Sequence, residues 1–356
     1  MSTTVNALGT AVVDLPLLKF GMIGFDSNQR QQIIVAAQVM PQPTVVWRAG
    51  DFSSADCWLV CGEKTRPTQV TADTQNTTLR VLAGLPSEPE QTLALPDIDR
   101  PLAFSVPLPN VDITPRLVFD LASPQSVHGV LVQFQDCLRQ KLARFVLGKQ
   151  LISREASLQA AVYHVMHSGK LLAIFDFTAW RMAFAPTANW QDLEHAMWQK
   201  RPVEARAIPN HFLPTDIAQL RWTYAQLTTK DVLPARYKNA LIYFRQSPCV
   251  PLSWLSDSQL LVIHELSTQP ADFRDLVNRS GLAPEQLNRD LASLYFAGSV
   301  TTDADKAALA NPDSRTSEHA DTGGFSKNFR DAFRSSLSAE ERAQRNNAQT
   351  VSAQLR

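Results

Sequence analysis

The strongest constraint on the fold is a series of short apolar segments within the first 108 residues, separated by polar connections. The first, LLKFGMIGF (Leu17–Phe25), is almost continuously apolar, as is typical of strands buried on both faces. The next segment, SNQRQQIIVAAQVM, has apolar residues at helical spacing after a predicted N-cap, Ser27. Strand-like and helix-like segments therefore alternate, which predicts an α/β domain with an open sheet and parallel pairing. The other strand-like segments are TVVWRAG (Thr44–Gly50), DCWLVCG (Asp56–Gly62), TLRVLAGL (Thr78–Leu85) and PLAFSVPL (Pro101–Leu108).

This order of elements resembles the receiver domain of bacterial-type response regulators over residues 15–148, and implies a flavodoxin-like open sheet. Receivers place acidic residues after the first strand, where they hold magnesium, and a phosphoacceptor aspartate at the end of the third. Here only Asp26 follows the first strand, and Cys61 ends the third. The hydroxyl and lysine positions after the predicted fourth and fifth strands fall on LAG and SVP, so neither side chain is offered. The resemblance implies a pseudo-receiver with a degenerate phosphorylation site at Asp26 and Cys61, and with no metal or cofactor.

The four cysteines do not form a recognisable framework, because no CxxC spacing occurs among Cys57, Cys61, Cys137 and Cys249. This pattern argues against a disulfide scaffold or a structural zinc site. Cys61 has two interpretations. The nearby cations of Lys64 and Arg66 favour a reactive thiol, whereas the apolar strand favours a buried structural cysteine. We expect the structural role.

Two helices are predicted after the first sheet. One begins at the cap pair Ser123-Pro124 and ends at Gly148, with Arg139 and Arg144 on its polar side. It closes the first domain or pairs with a second copy of the chain in a homodimer. The other helix spans Ser153 to Gly169 and carries the histidines of an H-x-x-H pair, which we expect to be partly exposed and not to bind a metal.

The zero net charge of the chain results from a basic middle region that lies between two acidic ones. Residues 139–245 hold 15 Lys/Arg against 7 Asp/Glu (+8), between residues 1–138 (8 against 13, −5) and 246–356 (11 against 14, −3). A basic α+β domain is predicted over residues 150–250, with a hairpin in KLLAIFDFTAWRMAFAP and an amphipathic helix in NWQDLEHAMWQKRP. Its excess charge suits an anionic ligand or an interdomain contact, or is a solvated surface. The candidate ligand-binding residues are Arg139, Arg144, Lys200, Arg201, Arg206, Arg236, Tyr237 and Arg245.

Residues 255–303 predict three helices followed by a short strand, GSVTT, and resemble a winged helix. Winged helices often read DNA with the third helix, where Gln286, Asn288 and Arg289 are predicted to face outward. Residues 257–302, however, hold 3 Arg/Lys against 6 Asp/Glu, and an acidic module binds DNA poorly. Protein contact is favoured. Residues 304–356 are predicted to be a disordered polar tail in which NFRDAFRSSLSAEERAQR forms a docking helix.

No catalytic motif was found, because the chain lacks a phosphate-binding glycine loop, a G-x-S-x-G segment and an HExxH pair. No apolar run is long enough to cross a bilayer, and the N-terminus does not read as a signal peptide. The expected protein is a non-catalytic cytoplasmic signalling adaptor or effector. Its expected partners are other proteins, with a cyclic dinucleotide or another nucleotide as a possible ligand and DNA as a less favoured one. The alternatives are a DNA-binding transcriptional regulator and a thiol- or histidine-dependent enzyme.

Overall fold

The computed structural model describes residues 14–39, 43–68, 78–108, 117–179 and 181–308. The chain divides into two compact units. The first comprises the residues up to Phe145 together with Leu227–Asp231, and the second comprises Val146–Gln226 and the residues from Val232 onward.

The first unit contains a five-stranded parallel sheet and a three-stranded antiparallel sheet. Helix α3, the last element below, continues into the second unit. In chain order the elements are β1 (Leu17–Ile23), α1 (Ser27–Gln38), β2 (Val46–Ala49), β3 (Cys57–Val60), β4 (Thr65–Thr68), β5 (Thr78–Val81), β6 (Gln91–Ala94), β7 (Leu102–Phe104), β8 (Leu117–Val118), α2 (Pro124–Cys137) and α3 (Arg139–Arg154).

The parallel sheet has the strand order β2–β1–β3–β7–β8. Its first three strands lie in the predicted segments, but the prediction for TLRVLAGL is wrong, because β5 pairs antiparallel with β4 and β6. The reason is visible in the burial pattern. Leu79 and Val81 are buried while Arg80 is exposed, so β5 has one apolar face, whereas all four residues of β3 are buried. The fourth parallel strand is therefore β7, and the fifth is the two-residue β8.

The antiparallel sheet covers one face of the parallel sheet. Trp58 and Val60 of β3 share a core cluster with Leu79 and Val81 of β5. Successive strand residues point to opposite faces. Cys57 and Leu59, which alternate with Trp58 and Val60, therefore point toward the other face, on which α1 and α2 pack. The first core therefore has a helical layer on one side and a small sheet on the other.

The predicted helix from Ser123 to Gly148 is wrong in its length and its end. Ser123 caps α2 as predicted, accepting a hydrogen bond from the Ser126 amide at 3.2 Å. α2 ends before Leu138, and α3 then runs through Gly148 to Arg154. Gly148 is thus inside a helix and does not terminate one.

The second unit contains a five-stranded antiparallel sheet and a cluster of helices. Its elements are β9 (Val162–His167), β10 (Lys170–Asp176), β11 (Arg181–Phe184), α4 (Trp190–Glu194), β12 (Met197–Arg201), β13 (Leu213–Thr215), α5 (Ile217–Leu227), α6 (Arg236–Asn239), β14 (Tyr243–Phe244), α7 (Asp257–Thr268), α8 (Phe273–Ser280), α9 (Pro284–Phe296), β15 (Val300–Thr301) and α10 (Ala304–Ala308).

The second sheet has the order β12–β9–β10–β11–β13, and its β10–β11 hairpin confirms the prediction. The predicted helix from Ser153 to Gly169 is wrong, because its second half is strand β9. The segment HSGK is a hairpin turn: Ser168 and Gly169 both have positive φ, 47° and 77°. Two such residues make the turn that joins two tightly paired antiparallel strands, so Gly169 ends a strand and not a helix.

The predicted helix in NWQDLEHAMWQKRP is also shorter than expected. Asn189 caps α4 as predicted, with its Oδ1 accepting from the Gln191 amide at 3.0 Å. The helix ends at Glu194, and the following residues form β12, which pairs with β9 at the edge of the sheet. Pairing with β9, a strand more than thirty residues earlier in the chain, overrides the helical pattern here.

The C-terminal part confirms the predicted order of three helices and a strand, α7, α8, α9 and β15. β15 pairs with β14, which precedes the helices in the chain. The prediction that Gln286, Asn288 and Arg289 face outward is wrong, because all three are half-buried. The Gln286 amide donates to both carboxylate oxygens of the fully buried Asp290, at 3.0 and 3.1 Å.

The predicted disordered tail begins with ordered structure, since α10 occupies residues 304–308. The docking helix predicted in NFRDAFRSSLSAEERAQR lies outside the described residues. Within the described ranges, no helix combines the length and the apolar character that a membrane crossing requires.

Candidate functional site

The carboxyl edge of the parallel sheet is the first place to look for a site, because open α/β sheets bind ligands beyond the carboxyl ends of their strands. Two backbone contacts close this edge. A Cβ on Gly84 would lie 2.0 Å from the carbonyl oxygen of Phe25, the second residue after β1. A Cβ on Gly62, the second residue after β3, would lie 2.7 Å from the carbonyl oxygen of Val106. The chain therefore packs main chain against main chain where a ligand would enter.

The two residues of the predicted degenerate phosphorylation site have structural roles. Asp26 caps α1: its carboxylate accepts from the Gln29 amide at 2.9 Å, and Gln29 Oε1 accepts from the Asp26 amide at 3.0 Å. This capping box displaces the predicted cap, Ser27, by one residue. Cys61 is 1% exposed. Neither side chain is placed to receive a phosphoryl group or to hold a metal.

Sequence reasoning missed Ser105, which follows the fourth parallel strand. Its hydroxyl accepts a hydrogen bond from the Gly62 amide at 3.0 Å, so it ties the loop after β7 to the loop after β3. The segment PLAFSVPL contains this serine, but the prediction makes PLAFSVPL the fifth strand of the sheet, whereas its strand β7 is the fourth because TLRVLAGL belongs to the antiparallel sheet. A hydroxyl therefore does follow the fourth parallel strand. It holds the loop after β7 against the loop after β3.

A cleft of about 280 Å³ remains between the carboxyl ends of β1 and β2 and the β5–β6 hairpin. Arg30 lines it, donating to the Phe25 carbonyl at 3.0 Å and to Glu88 at 2.5 Å. Asp51 adds a second carboxylate to the lining. Two carboxylates against one guanidinium disfavour a phosphate in this cleft. Its residues come from three distant parts of the chain, 22–30, 50–52 and 81–91, so no local sequence pattern could have identified it.

Cys57 and Cys61 are not placed for thiol chemistry. Burial raises the pKa of the Cys57 thiol well above its usual value, and the charge of Asp56 raises it further. Cys57 and Cys61 are buried, Cys137 is exposed and Cys249 is half-buried. A nucleophilic cysteine needs an accessible thiolate, and both Cys57 and Cys61 are shielded from solvent.

We expect the four thiols to react with an aromatic disulfide reagent in two classes. Cys137 and Cys249 react in the folded protein, whereas Cys57 and Cys61 react only after unfolding in denaturant, because their sulfurs are shielded. Stopped labelling followed by peptide mass spectrometry identifies each class. Labelling of Cys61 in the folded chain at a rate similar to that of Cys137 would contradict the structure.

The eight candidate ligand-binding residues fall into three groups on different elements. Arg139 and Arg144 lie on α3 in the first unit. Arg139 pairs with Asp136 one helical turn earlier, at 3.3 Å. Arg144 is half-buried, and desolvation lowers the pKa of its guanidinium. Neither side chain lines the cleft described above, so the two arginines do not form a binding site with it.

The second group lies at the end of β12, an edge strand of the antiparallel sheet, and in the turn that follows it. Lys200 and Arg201 end the edge strand β12, and Arg206 follows the next short turn. Lys200 donates to the Gln159 side chain at 2.6 Å. Among the described residues, no carboxylate lies within 4.0 Å of Arg201 or Arg206, and both side chains are exposed. We call Lys200, Arg201 and Arg206 the basic edge.

The third group surrounds the ring of Tyr237 in the helical cluster. Tyr237 is 2% exposed, and its hydroxyl donates to the Val300 carbonyl at 3.0 Å. The Arg236 guanidinium lies 5.5 Å from the Tyr237 ring and 5.7 Å from the Tyr295 ring, within cation–π range. Arg245 is half-buried nearby, and its charge acts on the Tyr237 hydroxyl. Tyr237 is thus a core residue rather than an exposed stacking platform.

Burial raises the pKa of Tyr237 from its ordinary value of 10.0 to about 12. The folded protein therefore retains a proton that the unfolded chain loses between these values. The corresponding stability is fully present below pH 10 and falls as the pH rises toward 12, by about 1.4 kcal/mol at pH 11. Urea unfolding at pH 9 and pH 11 measures this loss. The Tyr237→Phe variant is the control and should lose about 1.4 kcal/mol less over the same interval.

The histidines of the H-x-x-H pair do not form half of a metal site. His164 and His167 lie three residues apart on strand β9, so their side chains point to opposite faces. His164 Nε2 contacts the Ala205 carbonyl at 2.9 Å. Across the described ranges, no group of three or more His, Cys, Asp or Glu residues is arranged to hold a metal ion.

Comparisons with known proteins do not place the chain in a family. No protein-family model, no curated protein sequence and no solved structure matches it.

Proposed function

We propose that the chain is a non-catalytic signalling adaptor or effector with a pseudo-receiver as its first unit. The parallel strand order, second-first-third-fourth-fifth along the chain, is that of flavodoxin-like folds, and receivers share it. An N-terminal helix after β1 packs against the helix after the fifth strand, as this topology requires. These features support the pseudo-receiver hypothesis at the level of topology.

The observation that carries the proposal is the closure of the carboxyl edge by Gly84 and Gly62. Phosphoryl transfer needs acidic groups for magnesium and cations for the transferred group. At this edge Asp26 is used as a helix cap, Cys61 is buried, and the backbone occupies the entrance. A domain with this topology and a closed edge serves as an interaction module and not as a phosphoacceptor.

The basic edge is our candidate for binding the anionic partner. Lys200 and Arg201 lie at the end of an outer strand and Arg206 lies just beyond it, rather than inside a cavity, and an extended acidic segment of a protein can follow such a strand. A nucleotide or cyclic dinucleotide is the small-molecule form of the same proposal. Lysine and arginine also protect edge strands from unwanted pairing, and the experiment below separates these roles.

The DNA-binding alternative is weaker. The three helices and the strand after them support a winged-helix-like module, but residues 257–302 are acidic. The third helix, α9, also has Gln286 bonded to Asp290 and half-buried Asn288 and Arg289, which leaves few side chains for reading bases.

A ligand screen by thermal melting and titration calorimetry tests the function. The panel contains nucleotides, cyclic dinucleotides, a polyglutamate peptide and duplex DNA. A ligand at 100 times its Kd adds about 2.7 kcal/mol to the free energy of unfolding. We expect binding of an anionic compound that Arg201→Glu abolishes. Lys170→Glu is the charge-matched control, since Lys170 is exposed at a hairpin end of the same sheet.

Two results would contradict the proposal, and a third would remove its binding part. The first is stable phosphorylation of the first unit by a small phosphodonor with magnesium, seen by intact mass. The second is binding to duplex DNA that the variants of the basic edge leave unchanged. If no anionic compound or acidic peptide binds, the basic edge is a protective device and the binding part of the proposal fails.

A further inference from the structure

β12 is an outer strand of the second sheet. In the part of the chain that the structure describes, its only strand partner is β9, and all the strand pairs of this sheet are antiparallel. In an edge strand, every second backbone amide and carbonyl points away from the sheet. A further strand can pair with these groups, so β12 is a place where another chain can extend the sheet.

The side chains of β12 alternate between the two faces of the sheet. Trp198 points toward α3, because its Nε1 donates to Oε1 of Gln150 on that helix at 2.7 Å. Lys200 lies on the same face as Trp198, two residues further along the strand. Met197 and Arg201 therefore share the opposite face, at the two ends of β12.

The N-terminal end of β12 is apolar. Met197 is 63% exposed and lies opposite Met166 of β9, which lies opposite Leu171 of β10. Met166 and Leu171 are half-buried, so the three side chains form an apolar row across three strands. Glu194, three residues before β12, is paired with Lys149 at 2.8 Å. A flexible methionine at the end of this row can adapt to an apolar side chain of a partner.

The C-terminal end of β12 is basic. Lys200 and Arg201 are both exposed, and Arg206 follows in the next turn. Glu204 is also exposed in that turn, but among the described residues neither Arg201 nor Arg206 has a carboxylate within 4.0 Å. Three cations against one carboxylate leave an excess of positive charge, which complements acidic side chains on a partner.

We propose that β12 accepts a sixth strand from a partner protein, and that this strand carries the pattern acidic-acidic-x-x-apolar. This inference rests on the proposed function, because it specifies the acidic partner of the basic edge. Antiparallel addition places the first two residues of the pattern opposite Arg201 and Lys200. The fifth residue, about 13 Å further along the strand, then lies opposite Met197.

Protection of the edge against pairing accounts for the cations but not for the methionine. Natural edge strands carry lysine and other charged residues because these disfavour pairing with strands that lack complementary groups. An exposed apolar side chain at the other end of the same strand weakens that protection. Cations at one end and Met197 at the other favour selective pairing, in which strands without the matching pattern are rejected.

Two labelled peptides of identical composition test the pattern by fluorescence anisotropy with the full chain. TEETTIT carries the proposed order, whereas TIETTET places isoleucine opposite Arg201 and a glutamate opposite Met197. We expect TEETTIT to bind about fivefold more tightly, because two cross-strand pairs are matched in it and mismatched in TIETTET. Equal affinities of the two peptides would overturn the inference.

Backbone methylation of TEETTIT separates strand addition from attraction between charges. One version is N-methylated at its second, fourth and sixth residues, and the other at its third and fifth. Because alternate amides of a strand point to opposite sides, only one version loses the amides that face β12. We expect that version to bind about tenfold more weakly and the other to bind within about twofold of TEETTIT. Similar affinities of the two versions would mean that no strand is added.

Met197→Thr tests the apolar end of β12 and should abolish the preference for TEETTIT over TIETTET. Leu252→Thr is the matched control, since Leu252 is 82% exposed outside the sheet and its replacement should keep the preference. Both positions are exposed, and far-ultraviolet circular dichroism verifies that the variants are folded. A preference that survives Met197→Thr would overturn the inference.

Polyglutamate distinguishes failure of this inference from failure of the proposed function. If polyglutamate binds and Arg201→Glu abolishes its binding, but the two peptides bind equally, strand addition is wrong and the basic edge remains the binding site. If neither the peptides nor polyglutamate bind, both the inference and the binding part of the proposed function fail.

Discussion

Replacing Gly84 with alanine is expected to lower the free energy of unfolding of the first unit by about 3 kcal/mol or more. The added methyl carbon would lie 2.0 Å from the carbonyl oxygen of Phe25 and 2.5 Å from its carbonyl carbon. These are main-chain atoms next to β1 and cannot rotate away, so the loop after β5 must move off the edge of the sheet. Urea unfolding followed by tryptophan fluorescence measures the change, because Trp58 lies in the adjacent core.

The control for Gly84→Ala is Ser87→Ala in the same loop. Ser87 is exposed, and its replacement should change the free energy of unfolding by less than about 0.5 kcal/mol. Hydrogen exchange at the amides of residues 24–26 and 61–62 gives a second readout, because displacement of the loop should expose them. A Gly84→Ala variant as stable as the wild type would show that the edge is open, and the argument against a phosphoryl site would fail.

Replacing Gly148 with alanine is expected to destabilise the second unit by about 3 kcal/mol. Helix propensity alone predicts the opposite, a gain of about 1 kcal/mol for alanine over glycine inside a helix. At Gly148 the new Cβ would lie 2.3 Å from the carbonyl oxygen of Leu220 on α5. Because α3 and α5 pack backbone to backbone at this point, the steric cost exceeds the gain in propensity.

The matched control for Gly148→Ala is Gly129→Ala, which replaces another glycine inside a helix where a Cβ meets nothing within 4 Å. It should stabilise the chain by about 0.5–1 kcal/mol, measured by urea unfolding at low protein concentration to limit any contribution from association. The two substitutions should therefore change the free energy of unfolding in opposite directions. Equal effects would mean that α3 and α5 do not approach each other as described.

The elements that sequence reasoning predicted well are those whose signals are local. Ser123 and Asn189 cap helices because a side-chain oxygen reaches an amide two or three residues later. The strands β1 and β3 are recognisable because burial on both faces requires continuous apolar character. Such signals involve only residues within one helical turn or one strand, so they can be recognised without knowing the fold.

The errors come from contacts between distant segments. The sequence pattern predicts a helix for the segment that contains β9, but this segment pairs with β10 as a strand. It also predicts a helix at the start of β12, which instead pairs with β9. TLRVLAGL is predicted in the parallel sheet but forms β5 of the antiparallel sheet, because a segment's apolar character predicts a strand without predicting which strand it pairs with. Among the candidate site residues, Tyr237 was expected to be available to a ligand, and the packing of the helical cluster buried it.

Which segments are apolar, where several helices begin, and that the middle of the chain is basic are all readable from local sequence patterns. The expected burial of Cys61 is confirmed. The closure of the carboxyl edge, in contrast, becomes visible only in the folded chain, where Gly84 and Gly62 lie against main chain from other segments. Closure depends on main-chain segments some sixty residues apart, such as Gly84 and Phe25, packing so closely that no Cβ fits between them. No local pattern encodes such a close approach, because it results from the packing of all the intervening elements.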